Sequence, residues 1–145
     1  MDNKIFALIK SDKGKYLILK MNKETMFLDE RYVVTGHVEK AESYPEAARR
    51  EIKEETGLDN LRFVDGFAEK AAYEIISKRP PFKGERIEKH VTYFLCEAKD
   101  QDVIVDGREI SDYRFLPLNK AEQAVKFRNL KIMLRKAYDF LSFKI

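Results

Sequence analysis

Apolar residues in this chain come mostly in short runs separated by turn residues. Residues 5–10 and 16–21 read as the two strands of a hairpin, joined by the turn Asp12-Lys13-Gly14-Lys15. Met26-Phe27-Leu28 and residues 31–34 are short β segments leading into Gly36, where a glycine permits close backbone approach. Residues 61–67 and 71–76 also read as β. Residues 87–98 form the strongest strand. Lys89, Val91, Tyr93 and Leu95 share one face by alternation, and His90, Thr92, Phe94 and Cys96 share the other. Both faces are largely apolar from Val91 onward, which predicts a central position in a sheet. Residues 103–105 and 113–118 read as two more strands, the second ending around Pro117.

Two stretches change to helical spacing. Ser43-Tyr44-Pro45-Glu46 is a capping box, Pro45 falls in the first turn, and Gly57 suits the left-handed residue that stops a helix. The spacing predicts a helix over 44–56, with Ala48 and Ile52 inward and Ala47 beside an acidic stripe. A second capping box, Asn119-Lys120-Ala121-Glu122, predicts a short helix through Ala124 and Val125. A longer helix then carries Leu130, Met133, Leu134, Ala137 and Leu141. Strands, one helix, more strands and a helical end predict the α/β class, an α/β/α sandwich around a mixed β-sheet.

The chain has 145 residues, which suits one domain over 1–145. With 44 % hydrophobic and 37 % charged residues it reads as globular rather than disordered. Nothing approaches the ~20-residue apolar run that spans a bilayer, so no membrane partner is expected. Met1-Asp2-Asn3-Lys4 lacks the apolar core of a signal peptide, and the expected compartment is the cytoplasm. The single cysteine, Cys96, lies in an apolar run and reads as buried packing. A net charge of +3, with both signs interspersed, argues against a nucleic-acid surface.

The acidic stripe carries the chemistry. Glu51, Glu54 and Glu55 lie on one side of the predicted helix. Like charges at this spacing repel, and a divalent cation removes the conflict. Hard oxygen ligands without a thiolate or histidine cluster favour Mg²⁺ or Mn²⁺ over Zn²⁺. The loop over residues 77–86 holds Lys78, Arg79, Lys83 and Arg86, which are either a phosphate-facing group or ordinary solvated cations.

The wider pattern is more specific. Gly36, five residues, Glu42, seven residues, Arg50-Glu51-Ile52, one residue, Glu54-Glu55, one residue and Gly57-Leu58 resemble the Nudix box at every defined position. The resemblance implies the Nudix fold and a loop–helix–loop that binds catalytic metal ions. It also implies hydrolysis of a nucleoside diphosphate linked to another group. In such enzymes the carbonyl of Gly36 would be a metal ligand, and Glu42 and Arg50 would pair to hold the loop's shape. Glu51 and Glu55 would ligate directly, and Glu54 would ligate or orient water. Glu109, in the loop before Tyr113-Arg114-Phe115, matches a further metal ligand or base. The resemblance leaves open which of Glu54, Glu55 and Glu109 takes the proton. His37 would donate to a phosphate or orient the loop.

Gly36-His37-Val38-Glu39, residues 91–100, Tyr113-Arg114-Phe115-Leu116, Ala121-Glu122-Gln123-Ala124 and residues 127–141 are similar to the asymmetrical bis(5'-nucleosyl)-tetraphosphatases. That likeness implies a phosphate contact from Lys89 and an adenine clamp from Tyr93 and Phe140, with Tyr73 a further ring. The alternative for each aromatic is core packing. Thr35 and Ala41 depart from this group, which usually has lysine and often has glycine there. Val34-Thr35-Gly36 instead resembles the nucleoside triphosphate and dihydroneopterin triphosphate pyrophosphohydrolases. The first expectation is a Mg²⁺-dependent hydrolase cleaving dinucleoside polyphosphates to a nucleoside triphosphate and a monophosphate. The second is a triphosphate pyrophosphohydrolase releasing pyrophosphate, and the third a non-catalytic nucleotide-binding module. A monomer and a homodimer are equally compatible with the sequence.

Overall fold

The strand with two apolar faces lies inside a mixed sheet, as its burial pattern demands. The computed structural model describes residues 2–22, 31–77, 80–81, 83–99 and 103–143. Its elements are β1 (Asp2–Ser11), β2 (Tyr16–Met21), β3 (Arg31–Tyr32), β4 (Val34–His37), α1 (Tyr44–Thr56), β5 (Leu61–Ile76), β6 (Arg86–Ala98), β7 (Ile110–Leu116), α2 (Leu118–Ala124) and α3 (Arg128–Ser142). β6 runs parallel to β1 from Asp2↔Lys89 to Ser11↔Ala98, and antiparallel to β5 on its other side. The free edge of β1 is shared: residues 4–7 pair with β4, and Lys10 pairs with β2. β2 in turn carries β3 and β7.

Alternation along β1 divides the core in two. Phe6 and Leu8 join Val91, Tyr93 and Leu95 of β6 and Leu118, Leu130, Met133, Leu134 and Ala137 of α2 and α3. Ile5 joins Phe94, Ala47 and Ala48, while Ala7 and Ile9 join Cys96 and Ile52. Thus α1 covers one face of the sheet and α2 with α3 the other, the α/β/α arrangement expected. Burial pushes the Cys96 thiol up to about 12, so it stays a protonated packing group. No helix among the described residues is long and apolar enough to cross a membrane.

Several boundaries differ from those expected. β5 is one continuous strand, and its register with β6 shifts between Phe63 and Ala68. Residues 68–70, expected to separate two strands, pair with Phe94, Tyr93 and Thr92, and Gly66, at φ +85°, takes up the irregularity as a bulge inside the strand. Residues 103–105 are not a strand; there the Ile104 N–H donates to the carbonyl of Thr56, tying this segment to the end of α1. β7 starts at Ile110, earlier than residue 113. The second capping box does not form. Pro117, extended at ψ 158°, is the N-cap and offers no side-chain acceptor, so the helix starts at Leu118. Asn119 Oδ1 accepts from the Lys120 N–H instead. Ala47 is fully buried with Ile5 and Phe94, so it is core rather than open space beside the glutamates. Met26-Phe27-Leu28, Lys78 and Arg79 lie outside the described residues.

Among the described residues, several buried side-chain polar atoms lack a hydrogen-bond partner, one of them in the core beneath α2 and α3. The Tyr16 hydroxyl is buried without a hydrogen-bond partner, and burial pushes its pKa up to about 12. An unmet buried hydroxyl costs roughly 1–3 kcal/mol. Tyr16→Phe is therefore expected to leave stability unchanged or to raise it. A urea titration that showed the variant clearly weaker would contradict this.

Candidate active site

α1 is fixed at both ends. The Glu46 N–H donates to Ser43 Oγ at 3.2 Å, and the Ser43 N–H to Glu46 Oε1 at 2.9 Å, so the first capping box is complete. At the other end Gly57, at φ +75°, donates its N–H to the Lys53 carbonyl at 2.9 Å. Between these caps Ile52 is fully buried, and that rotation turns Glu51 and Glu55 toward β4. Glu54 stays 60 % exposed, against 14 % for Glu51.

Arg50 organises the loop in front of the helix. Its Nε and Nη2 donate to the two oxygens of Glu42 at 2.7 and 3.0 Å, a bidentate pair. Nη2 also reaches the His37 carbonyl at 3.0 Å, and Nη1 reaches Glu51 Oε1 at 2.7 Å. Glu54 and Glu39 lie at 3.5 and 3.6 Å from Nη1. Glu42 Oε1 further accepts the Glu39 N–H at 3.0 Å. The hydrogen bonds with Arg50 hold Glu42 below the usual carboxylate range, and the guanidinium is held charged by the same contacts. The loop from residue 37 to 43 is thereby laced to α1.

Gly36 is where β4 passes under Glu51. A Cβ built on it would lie 2.1 Å from Glu51 Cδ and 2.3 Å from Oε1. Nothing larger than hydrogen fits while that carboxylate keeps its place. Thr35 next to it pins β4 to β1 through Oγ1, which donates to the Ile5 carbonyl at 3.0 Å. The Thr35 N–H donates to Glu55.

Glu55 is only 5 % exposed, and no donor reaches its buried Oε2. Burial raises its pKa far above the ordinary carboxyl range. A shared hydrogen bond with Glu51 and the charges of Glu51 and Glu109 act in the same direction, against the Thr35 N–H. Glu109 itself is exposed, in the loop just before β7. The structure thus brings Gly36, Glu42, Arg50, Glu51 and Glu55 together, with the charge of Glu109 felt at Glu55. Among the described residues no three Asp, Glu, His or Cys side chains are already gathered as a metal cage. The residues nevertheless fit a hard divalent cation: Glu55 Oε2 is an orphaned buried acceptor among the described residues, Glu51 shares a proton-binding contact with it, and the candidate ligand atoms of both are carboxylate oxygens.

The remaining candidates are spread more widely. His37 enters through its backbone, as acceptor for Arg50. Lys89 lies on the face of β6 toward α3, together with Tyr93. Tyr93 is 3 % exposed and stacks on Phe6, with centroids 4.9 Å apart and an interplanar angle of 15°. Phe140 on α3 meets Phe67 edge-on at 5.6 Å and lies over Gly66. Tyr73 pairs through its backbone with Lys89, and its side chain lies outside the described residues. The Tyr93 and Phe140 rings are on the opposite face of the sheet from α1. His90 faces α1's side and sits 3.0 Å from Glu88, and Arg86 is 3.8 Å from Glu74. Two residues with a part in the site carry weak sequence signals. The Thr35 N–H is a backbone feature with none, and Asp106 was legible only as the start of an Asp-Gly turn.

A buried Glu55 beside a part-buried Glu51 on a capped helix, a glycine under them and an arginine-laced loop make an oxygen-rich site suited to a divalent cation. The chain belongs to the Nudix hydrolases: the NUDIX domain matches residues 3–136. It is a pyrophosphohydrolase of that family, which as a group uses divalent metal ions and acts on small nucleotide substrates. The chain is 38 % identical over 109 residues to the asymmetrical bis(5'-nucleosyl)-tetraphosphatase of Sus scrofa, a stretch covering 73 % of this chain and 68 % of that one. It is 32 % identical over 99 residues to the RNA pyrophosphohydrolase of Nitratiruptor, covering 63 % and 61 %. Its fold is shared with a C. elegans Ap4A hydrolase in a binary complex, at a TM-score of 0.80, 24 % identity and 98 % coverage of both chains. The E. coli dihydroneopterin triphosphate pyrophosphohydrolase also shares it, at a TM-score of 0.75, 23 % identity and 92 % coverage of both.

The contact between Gly36 and Glu51 yields a prediction. Gly36→Ala is expected to displace the Glu51 carboxylate and lower kcat by roughly 10²-fold, the order associated with an ångström of misplacement. The circular dichroism spectrum should stay that of the parent. An alanine variant with full turnover would mean that Glu51 does not act from this position.

Proposed function

We propose that this chain is a Mg²⁺-dependent hydrolase, with Mn²⁺ as a substitute, that cleaves dinucleoside polyphosphates asymmetrically to a nucleoside triphosphate and a monophosphate. The observation that carries the substrate is the 38 % identity over 109 residues with an enzyme of that name. The buried Glu51–Glu55 pair supports the chemistry. Glu51 and Glu55 would hold the cation, with the Gly36 carbonyl, Glu54 and Glu109 as further oxygen ligands. Bound there, a divalent cation neutralises non-bridging phosphate oxygens and makes water a better nucleophile. Arg50 keeps the loop and Glu51 in place, and Glu109 or Glu54, both open to solvent, takes the proton. Lys89 would meet the polyphosphate, with His37 as a second donor. Tyr93, Phe140 and Tyr73 would supply the base contact, which requires the Tyr93 ring to leave its stack on Phe6.

Thr35 favours a second reading. It stands where the tetraphosphatases usually have lysine, and its hydroxyl is engaged by the Ile5 carbonyl, so this position offers no cation to a phosphate. That is compatible with a pyrophosphohydrolase of nucleoside or dihydroneopterin triphosphates. Incubation with Mg²⁺ and diadenosine tetraphosphate, or with dATP, and anion-exchange separation of the products decides between them. ATP plus AMP from the first substrate, with dATP untouched, is expected. Monophosphate and pyrophosphate from dATP, with the dinucleotide inert, would move the assignment to the second reading.

A further inference from the structure

Glu109 is exposed on a loop, yet the backbone beneath it is tightly held. Asp106 Oδ1 accepts the N–H groups of Arg108, Glu109 and Ile110 at 2.9, 3.1 and 3.2 Å. Partial burial opposes ionisation of Asp106, but these three donors hold it below the ordinary aspartate range. Gly107, at φ +75°, turns the chain so that its N–H reaches the Ile110 carbonyl at 3.0 Å. Just past β2, Asn22 closes the loop twice: its N–H donates to the Glu109 carbonyl and its Nδ2 to the Gly107 carbonyl, both at 2.8 Å. The β2–β7 register shifts immediately beside it, pairing Lys20 with Asp112 but Met21 with Ile110. Such an irregularity re-aims the residues at its edge. The loop therefore leaves Glu109 in one backbone setting, at the residue just before β7.

The structure assigns Asp106 the role of positioning residue for Glu109, with Asn22, just past β2, as its partner. The inference rests on the part proposed for Glu109 above. Asp106 gathers successive backbone donors on one oxygen, and removing it frees three N–H groups to water and lets the loop sample other turns. The backbone of Glu109 then loses its single setting, and its carboxylate is no longer presented from one place. Substrate contacts elsewhere are untouched, so the loss falls on kcat or on the Mg²⁺ requirement and not on KM.

The experiment is a double-mutant cycle in the full chain, with steady-state rates and the Mg²⁺ midpoint measured for Asp106→Ala, Glu109→Gln and both together. Asp106→Ala should lower kcat about tenfold or raise the Mg²⁺ midpoint similarly, the range seen when an orienting partner of a ligand is lost. KM should stay within about twofold, and the double variant should be no worse than Glu109→Gln alone. Asp106→Asn, which keeps the acceptor oxygen, should recover most of the rate. If Glu109→Gln is crippled while Asp106→Ala is normal, or if the two losses simply multiply, Asp106 does not act through Glu109. If Glu109→Gln is fully active, the part proposed for Glu109 fails and the positioning role fails with it. A low rate for Asp106→Ala that Asn does not restore would mark general disruption and overturn the assignment.

Discussion

Glu55→Gln should make the metal-free protein more stable and leave it without useful turnover. In EDTA, Glu55 is buried beside Glu51 with one oxygen unmet, an arrangement that costs free energy whenever both carboxyls ionise. Gln has nearly the same shape and no charge. A gain of ~2 kcal/mol is expected, or roughly 4–8 °C in melting temperature for a chain of this size. The sign with pH follows from the raised folded pKa. The folded state binds a proton that the unfolded state releases above the ordinary glutamate value. Metal-free wild-type stability should therefore fall as pH rises above that value, and the Gln variant should lose this slope. Mg²⁺ should raise the wild-type melting temperature and hardly affect the variant. Turnover should drop by about 10²-fold or more, since a cation that stabilises phosphoryl charge contributes several kcal/mol. Equal melting temperatures in EDTA, or a variant with wild-type rate and metal dependence, would remove Glu55 from the centre of the site.

Arg50→Lys is expected to be nearly as damaging, although charge is conserved. One ammonium cannot meet Glu42 with two parallel bonds and also reach Glu51 and the His37 carbonyl. Charge-assisted hydrogen bonds contribute about 1.5–3 kcal/mol each, and lysine retains part of one or two. A loss of ~2 kcal/mol, or roughly 4–8 °C, should be read by thermal melting. Amide exchange at residues 38–43 should quicken, because Glu42 no longer fixes the Glu39 N–H in place. Unchanged exchange in that loop would show that its shape comes from elsewhere.

These two cases mark what was legible in the sequence. The capping box, the proline, Ile52 and Gly57 lie within one short stretch and all specify the same helix, so α1 could be read residue by residue. The spacing of Glu42 and Arg50 likewise anticipated their contact. The sequence could not say which glutamate is buried. A stripe of three carboxyls is compatible with several rotations, and it is β4, with Gly36 and Thr35, that covers Glu55 and leaves Glu54 outside. Asn119 failed for a local reason, because Pro117 had already fixed the helix entry two residues earlier. Residues 68–70 look like a break because Glu69 and Lys70 are polar, yet they pair with Tyr93 and Thr92 of β6. The hold on Glu109 combines Asn22 with Asp106 and Gly107, far apart in sequence, and no local pattern announces it.

The pairing of β1 with β6 also bears on how the molecule comes into being. β1 is the earliest strand, and its longest partner belongs to the far half of the chain. A ribosome that has made α1 has therefore made all of the box but none of the strand that flanks β1 on that side. Contacts so distant in sequence slow folding, because a long loop must close before they form. The strand beneath the glutamates, β4, is made before α1, but Phe94 of β6, against which Ala47 and Ala48 pack, is made after it. The core under the acidic helix is therefore closed only when β6 docks.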